Sequence, residues 1–173
     1  MKLRGDLGHL TYCLNIHATQ TWSDVQDALN GPVAAVKAAV SPDDPFAVGL
    51  RFSGEALDEL ADPVKRKALK ALMESHDFLG ITVNGFPYGE FHGTRVKEEV
   101  YQPDWRSSER VRYTNTLADL MAEIAPKGEM VSLSTVPGTI KPLAGGAMEV
   151  MAENYLLSVA HLVKLEARTG VIV

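Results

Sequence analysis

Apolar positions along this chain follow two alternating patterns, short runs of bulky residues and longer stretches with helical spacing. The short runs are LTYCLNIH (Leu10–His17), PFAVGLRFS (Pro45–Ser53), LGITVNG (Leu79–Gly85), MVSLSTVPG (Met130–Gly138) and the closing VIV (Val171–Val173). They show little polar alternation, which fits strands covered on both faces. The helical stretches between them carry their own punctuation. Thr21 and Asp24 have capping-box spacing at the head of WSDVQDALNGPVAAVKAAV, where Gly31–Pro32 is expected to break the helix in two. In GEALDELADPVKRKALKALMESH, Asp62 can cap and Pro63 can take the first helical position, where its missing N–H is harmless. SERVRYTNTLADLMAEIA and AMEVMAENYLLSVAHLVKLEARTG supply two further helices, the second closed by Gly170 as C-cap.

The resulting order is β-α-β-α-β-α-β-α-β. Strands alternating with helices of this length predict an α/β fold of parallel (β/α) units, because each parallel crossover needs a helix to return the chain. Two architectures are compatible with it: an open doubly wound sheet, and part of a (β/α)8 barrel, which takes about 250 residues. A chain of 173 residues that stops three residues into a strand reads as four βα units of something larger. Its bare strand edges would invite pairing with another chain. No G-x-G-x-x-G follows the first strand and no G-x-x-x-x-G-K-[ST] occurs, so the dinucleotide and P-loop signatures are missing.

Composition narrows the partners. The chain is 46% hydrophobic and 23% charged, enough for one domain with its own core. A net charge of −5 argues against nucleic acid or an anionic membrane surface, both of which need clustered positive charge. The basic run at Lys65, Arg66 and Lys67 reads as a solvated helix face. The single Cys13 excludes an internal disulfide framework and suits a reducing compartment. No apolar run approaches the roughly 18 residues of a membrane span. MKLRGDLGHL at the N-terminus has no signal-type apolar stretch, so a cytoplasmic protein is expected.

Parallel α/β folds bind ligands at the C-terminal ends of their strands, which makes those ends the place to look for chemistry. The first strand ends in Asn15 and His17, the second in Arg51 and Ser53, the fourth in Ser134 and Thr135. The third ends in Asn84, with Tyr88, His92, Arg95 and Lys97 in its loop. On one sheet these groups would face one mouth. Arg51 has a planar fork suited to a carboxylate, phosphate or pair of sugar hydroxyls. Each residue also has a plainer reading. Asn15 and Asn84 can cap turns, His17 can be a hydrogen-bonded histidine at a helix start, and Arg51 can pair with a neighbouring carboxylate. His92 and Lys97 can be plain surface. Tyr88, Phe91, Tyr101 and Trp105 are expected to fold the loop onto the rim, because a long ordered loop needs a small core of its own. No H-x-x-x-H, H-E-x-x-H, C-x-x-C or G-x-S-x-G spacing occurs, so neither a metal site nor a serine hydrolase has its local signature.

Four segments in order, GHLTYCLNIH, VGLRFS, VNGFPYGEFHGTRVKEEVYQPDWRSSERVRYT and SLSTVPGTIK, resemble the N-terminal half of the EboE family of metabolite-traffic proteins. The resemblance spans essentially the whole chain and is strongest in the long third segment. It implies a xylose isomerase-like TIM barrel, with residues 1–173 forming a single domain that is its N-terminal half. The segments that carry it include Asn15, His17, Arg51, Asn84, Gly85, Phe86, Pro87, His92, Gly93, Lys97 and Trp105. Leu14, where a smaller polar residue is expected, and ATQTW after His17, which lacks the Pro-Gly turn, depart from the pattern of the first loop. In related sugar isomerase barrels the metal ligands come mostly from later strands. The resemblance therefore implies no cofactor held by this chain alone, with a divalent metal possible in the complete barrel.

Two functions follow as expectations. In the first, a small polar metabolite is held at the strand ends, with Asn15, Arg51, Asn84, Tyr88 and Trp105 as binding residues. In the second, the complete barrel is a metal-dependent sugar or sugar-phosphate isomerase or epimerase. There His17 or His92 would shuttle a proton, and Lys97 or Arg51 would steady a developing negative charge. On its own this half is expected to be inactive, and to form a homo-oligomer through its exposed sheet edges.

Overall fold

Four parallel strands form a single sheet in the order β1-β2-β3-β4. They are β1 (Tyr12–Cys13), β2 (Phe46–Arg51), β3 (Phe78–Asn84) and β4 (Ser132–Ser134). Between and after them run α1 (Trp22–Ala28), α2 (Ala34–Val40), α3 (Gly54–Glu59), α4 (Pro63–Ser75), α5 (Ser108–Ile124) and α6 (Met148–Thr169). The computed structural model describes residues 1–5, 7–89 and 99–173.

Local signals place most helix ends where the residue chemistry expects them. Thr21 and Asp24 form a reciprocal capping box at α1, and the Asp62 carboxylate accepts from the Val64 N–H with Pro63 opening α4. Gly170 ends α6 at φ 72°, the left-handed conformation that glycine adopts without strain. Two expectations need correction. Gly31–Pro32 does not split the first helix. Leu29–Val33 widens into a π turn, which relieves the clash of the Pro32 ring with the preceding turn and lets the helical path continue into α2. The expected Asp62–Pro63 start leaves the residues before it to the short helix α3. Val171–Val173 adds no fifth strand; its link to the sheet is a hydrogen bond from the Val131 N–H to the Ile172 carbonyl, which lays the tail beside the start of β4.

The core lies on one side of the sheet. Val48, Leu50 and Val83 share a buried apolar cluster with Val25 and Leu29 of the first helical stretch, Leu57 of α3, Leu69 and Met73 of α4, and Leu117 and Met121 of α5. α6 packs along α5 on the same side and carries Met151 into a second cluster with Trp105 and Val136. The opposite face keeps small polar groups. Cys13, Ser132 and Ser134 are exposed there, and Thr82 and Asn84 are half-buried. Lys2 and His9 pair in an antiparallel bridge that brings two parts of the N-terminal segment together as a hairpin. Lys2 and Glu129, 3.1 Å apart, tie this hairpin to the loop that leads into β4.

A bulge decides which residues reach the open face. β2 and β3 pair as Val48↔Gly80 and then Gly49↔Thr82, so Ile81 is an extra residue in β3. Phe78 and Val83 both reach the core, although strict alternation would put them on opposite faces. The extra residue absorbs this mismatch and turns Thr82 and Asn84 to the polar side, the kind of re-aiming that bulges produce.

Candidate functional site at the strand ends

Register aligns the strand termini. Arg51 pairs with Asn84, and Asn84 with Ser134, so three consecutive strands end level with one another. Neighbouring positions in such a row lie about 4.8 Å apart. One step earlier, Cys13, Gly49, Thr82 and Ser132 form a second row. The Ser132 hydroxyl donates to Thr82 Oγ1 at 2.8 Å, and the Asn84 amide reaches Cys13 Sγ at 3.4 Å and the Leu50 carbonyl at 3.5 Å. Gly49 leaves the middle of this surface low: a Cβ there would meet Thr82 Cγ2 at 3.4 Å and Thr11 Oγ1 at 3.6 Å. The result is a shallow polar floor of hydroxyl, amide and thiol groups.

Arg51 lies under this floor. Its side chain is 1% exposed; Nη1 donates to Thr19 Oγ1 at 2.8 Å and Nη2 to the Gly89 carbonyl at 3.0 Å. It therefore clamps the loop after β1 to the loop after β3. Burial pushes its guanidinium below the ordinary arginine value. His17 stacks on Tyr12 with ring centres 5.8 Å apart and shares a 2.8 Å hydrogen bond with the Tyr12 hydroxyl. Asn15 is half-buried in the single 3-10 turn Leu14–Ile16 that follows β1.

Tyr88 and Trp105 serve the loop stems. The Tyr88 hydroxyl donates to Glu109 at 2.5 Å, its ring meets Tyr113 edge-on at 5.1 Å, and its carbonyl accepts from the Gly54 N–H. Burial first, and the Glu109 carboxylate second, push its phenol above the usual range. A Cβ on Gly54 would lie 2.6 Å from the Tyr88 ring, so glycine here admits the close approach. Trp105 is 1% exposed and lies on the helix side. It stacks on Tyr155 at 4.0 Å and donates its indole N–H to the Val136 carbonyl at 3.0 Å. The structure thus brings Arg51 and Asn84 together at the polar floor and places Trp105 away from it. His92 and Lys97 lie outside the described residues.

Two residues that the sequence reading passed over organise this region. Arg110 is fully buried and donates to three carbonyls, Pro103 and Gly85 at 2.6 Å and Phe86 at 3.1 Å, which joins the two stems of the loop after β3. The signal available in the sequence is an arginine on the apolar stripe of α5, in helical register with Tyr113, Thr114 and Leu117. Asp104, 1% exposed, accepts from Arg106, Gln102 and the Thr139 hydroxyl. Burial alone would raise its carboxyl, but these bonds together outweigh burial and hold it at about 2. Among the described residues no group of three or more His, Cys, Asp or Glu side chains is arranged to hold a metal ion. Among the described residues no helix is long and apolar enough to cross a membrane. No family model, curated protein or solved structure matches the chain.

Proposed function

We propose that this chain is the first half of a sugar isomerase-like (β/α) barrel of the EboE type, and that it helps to bind a small polar metabolite on the floor around Asn84. The supporting observation is the winding. Sequential parallel strands with their crossover helices on one face follow the path of a barrel wall, whereas a doubly wound sheet reverses its strand order and covers both faces. The face opposite the helices corresponds to a barrel interior, and its C-terminal half carries Cys13, Thr82, Asn84, Ser132 and Ser134. Neutral donors and acceptors of this kind suit hydroxyl-rich ligands. In this reading Asn84 and Ser134 hydrogen-bond the ligand, while Arg51 holds the surrounding loops in place.

Titration of the isotope-labelled protein with a panel of neutral sugars and polyols, followed by amide NMR, tests the proposal. Saturable shifts centred on Asn84 and Ser134 are expected, with loss of binding in Asn84→Leu at unchanged melting temperature. Shifts confined to other surfaces, or an Asn84→Leu variant that binds normally, would sink it.

A further inference from the structure

Helix α6 is apolar on two sides. Met151, Asn154, Ser158 and Leu165 are buried against the protein. At about 3.6 residues per turn the opposite side carries Ala152, Leu156, Val159 and Val163. All four are exposed, Leu156 by 67% and Val163 by 61%. A surface helix ordinarily puts its charged residues there. A contiguous apolar strip in that position marks a contact surface. Charge runs along one border of the strip in a fixed order. Glu149 and Glu153 lie toward its N-terminal end, Lys164 and Arg168 toward its C-terminal end, and all four are exposed. Each set is a like-charged pair four residues apart, which is unfavourable on a lone helix. The helix dipole accounts for Glu149 in the first turn and Arg168 in the last. Its effect fades beyond those turns, and Glu153 and Lys164 lie further in. Arg168 also meets Asp119 at 3.1 Å, whereas among the described residues Glu153 and Lys164 make no ion pair.

We propose that this face of α6 pairs with the same face of a second copy of the chain, the two helices antiparallel about a two-fold axis level with the Ser158–Val159 peptide. The charge order selects that arrangement. A two-fold antiparallel pair sets each border of the strip against the same border of its partner, reversed in direction. Glu153 stands as far before the midpoint as Lys164 stands after it, and Glu149 and Arg168 share the same centre. Glu153 of each copy therefore meets the partner's Lys164, twice per dimer, while Leu156 and Val163 are covered. A parallel pair would set this border against the partner's opposite one and leave the charges unmatched. The face is one helix wide, less than the roughly 800 Å2 per partner of a stable interface, so a dissociation constant on the order of 10–100 μM is expected.

Sedimentation equilibrium of the chain at low salt, over concentrations from about 5 to about 500 μM, tests the pairing. A reversible monomer–dimer equilibrium is expected. Glu153→Lys and Lys164→Glu each place two like-charge contacts across the interface and should weaken the dimer about ten-fold, with melting temperatures unchanged. An equimolar mixture of the two variants restores opposite charges at both contacts and should dimerise about as tightly as the unaltered chain. A chain that stays monomeric throughout the range would overturn the proposal. So would a dimer that neither variant weakens, which would place the contact elsewhere, at the sheet edges for example. A mixture no tighter than its separate components would overturn it equally.

Discussion

The loop stem around Arg110 and the sheet floor around Asn84 both gather polar chemistry at one end of the same strands, yet they use it differently. Arg110 is fully buried, and all three of its hydrogen bonds end on backbone carbonyls. Asn84 is half-buried, and its two bonds are long, at 3.4 and 3.5 Å. Charge-assisted bonds from a fully buried side chain hold a conformation. Long bonds at an open surface can be exchanged for those of a ligand. Polar residues near a strand end are therefore of two kinds, and burial together with bond length separates them.

The contrast makes quantitative predictions. Arg110→Met removes three hydrogen bonds, one of them to the buried Gly85 carbonyl, and should lower stability by about 2–4 kcal/mol in urea unfolding. Arg110→Lys should recover only part of that, because a lysine cannot fork to reach separate carbonyls. A near-neutral Arg110→Met would erase the distinction between the two regions. Gly85→Ala comes next. The added Cβ would sit 2.6 Å from the Ser134 carbonyl oxygen, a backbone atom that cannot swing away. It should cost about 1–3 kcal/mol and weaken the Gly85–Ser134 link between β3 and β4.

Acid probes the stem through Asp104. Its carboxyl titrates at about 2 in the folded chain, below the value of about 3.9 expected when unfolded. A depressed carboxyl contributes stability that is complete above the unfolded value and disappears as pH falls from about 4 to about 2. The contribution is roughly 2 kcal/mol, and Asp104→Asn should flatten the pH dependence of the melting temperature across that window. The smallest effect belongs to the floor. Asn84→Ala should change stability by no more than about 0.5 kcal/mol while abolishing sugar or polyol shifts. A large loss of stability there would move Asn84 into the structural class.

Some of this was legible along the chain. Strands β2 and β3, the capping box at Thr21, the Asp62–Pro63 start and the Gly170 stop depend on residues close in sequence, and each lies near where its local chemistry expects it. The tail Val171–Val173 has a strand's composition and forms no strand, since a strand exists only as far as a neighbour pairs with it. The roles of the polar residues were less accessible still. Tyr88 and Trp105 suit either a loop anchor or a ligand contact by residue type, and only the structure shows them packed on Tyr113 and Tyr155.

Hydrophobic periodicity and the caps were enough to specify an α/β chain of parallel units, because helix ends and strand centres answer to interactions within a few residues. The face on which each polar group emerges was settled by long-range packing. Phe78 and Val83 both had to reach the core, Ile81 became the extra residue between them, and Asn84 turned outward as a consequence. That outcome depends on where β2 and the helices lie, and no window of sequence around Asn84 contains it.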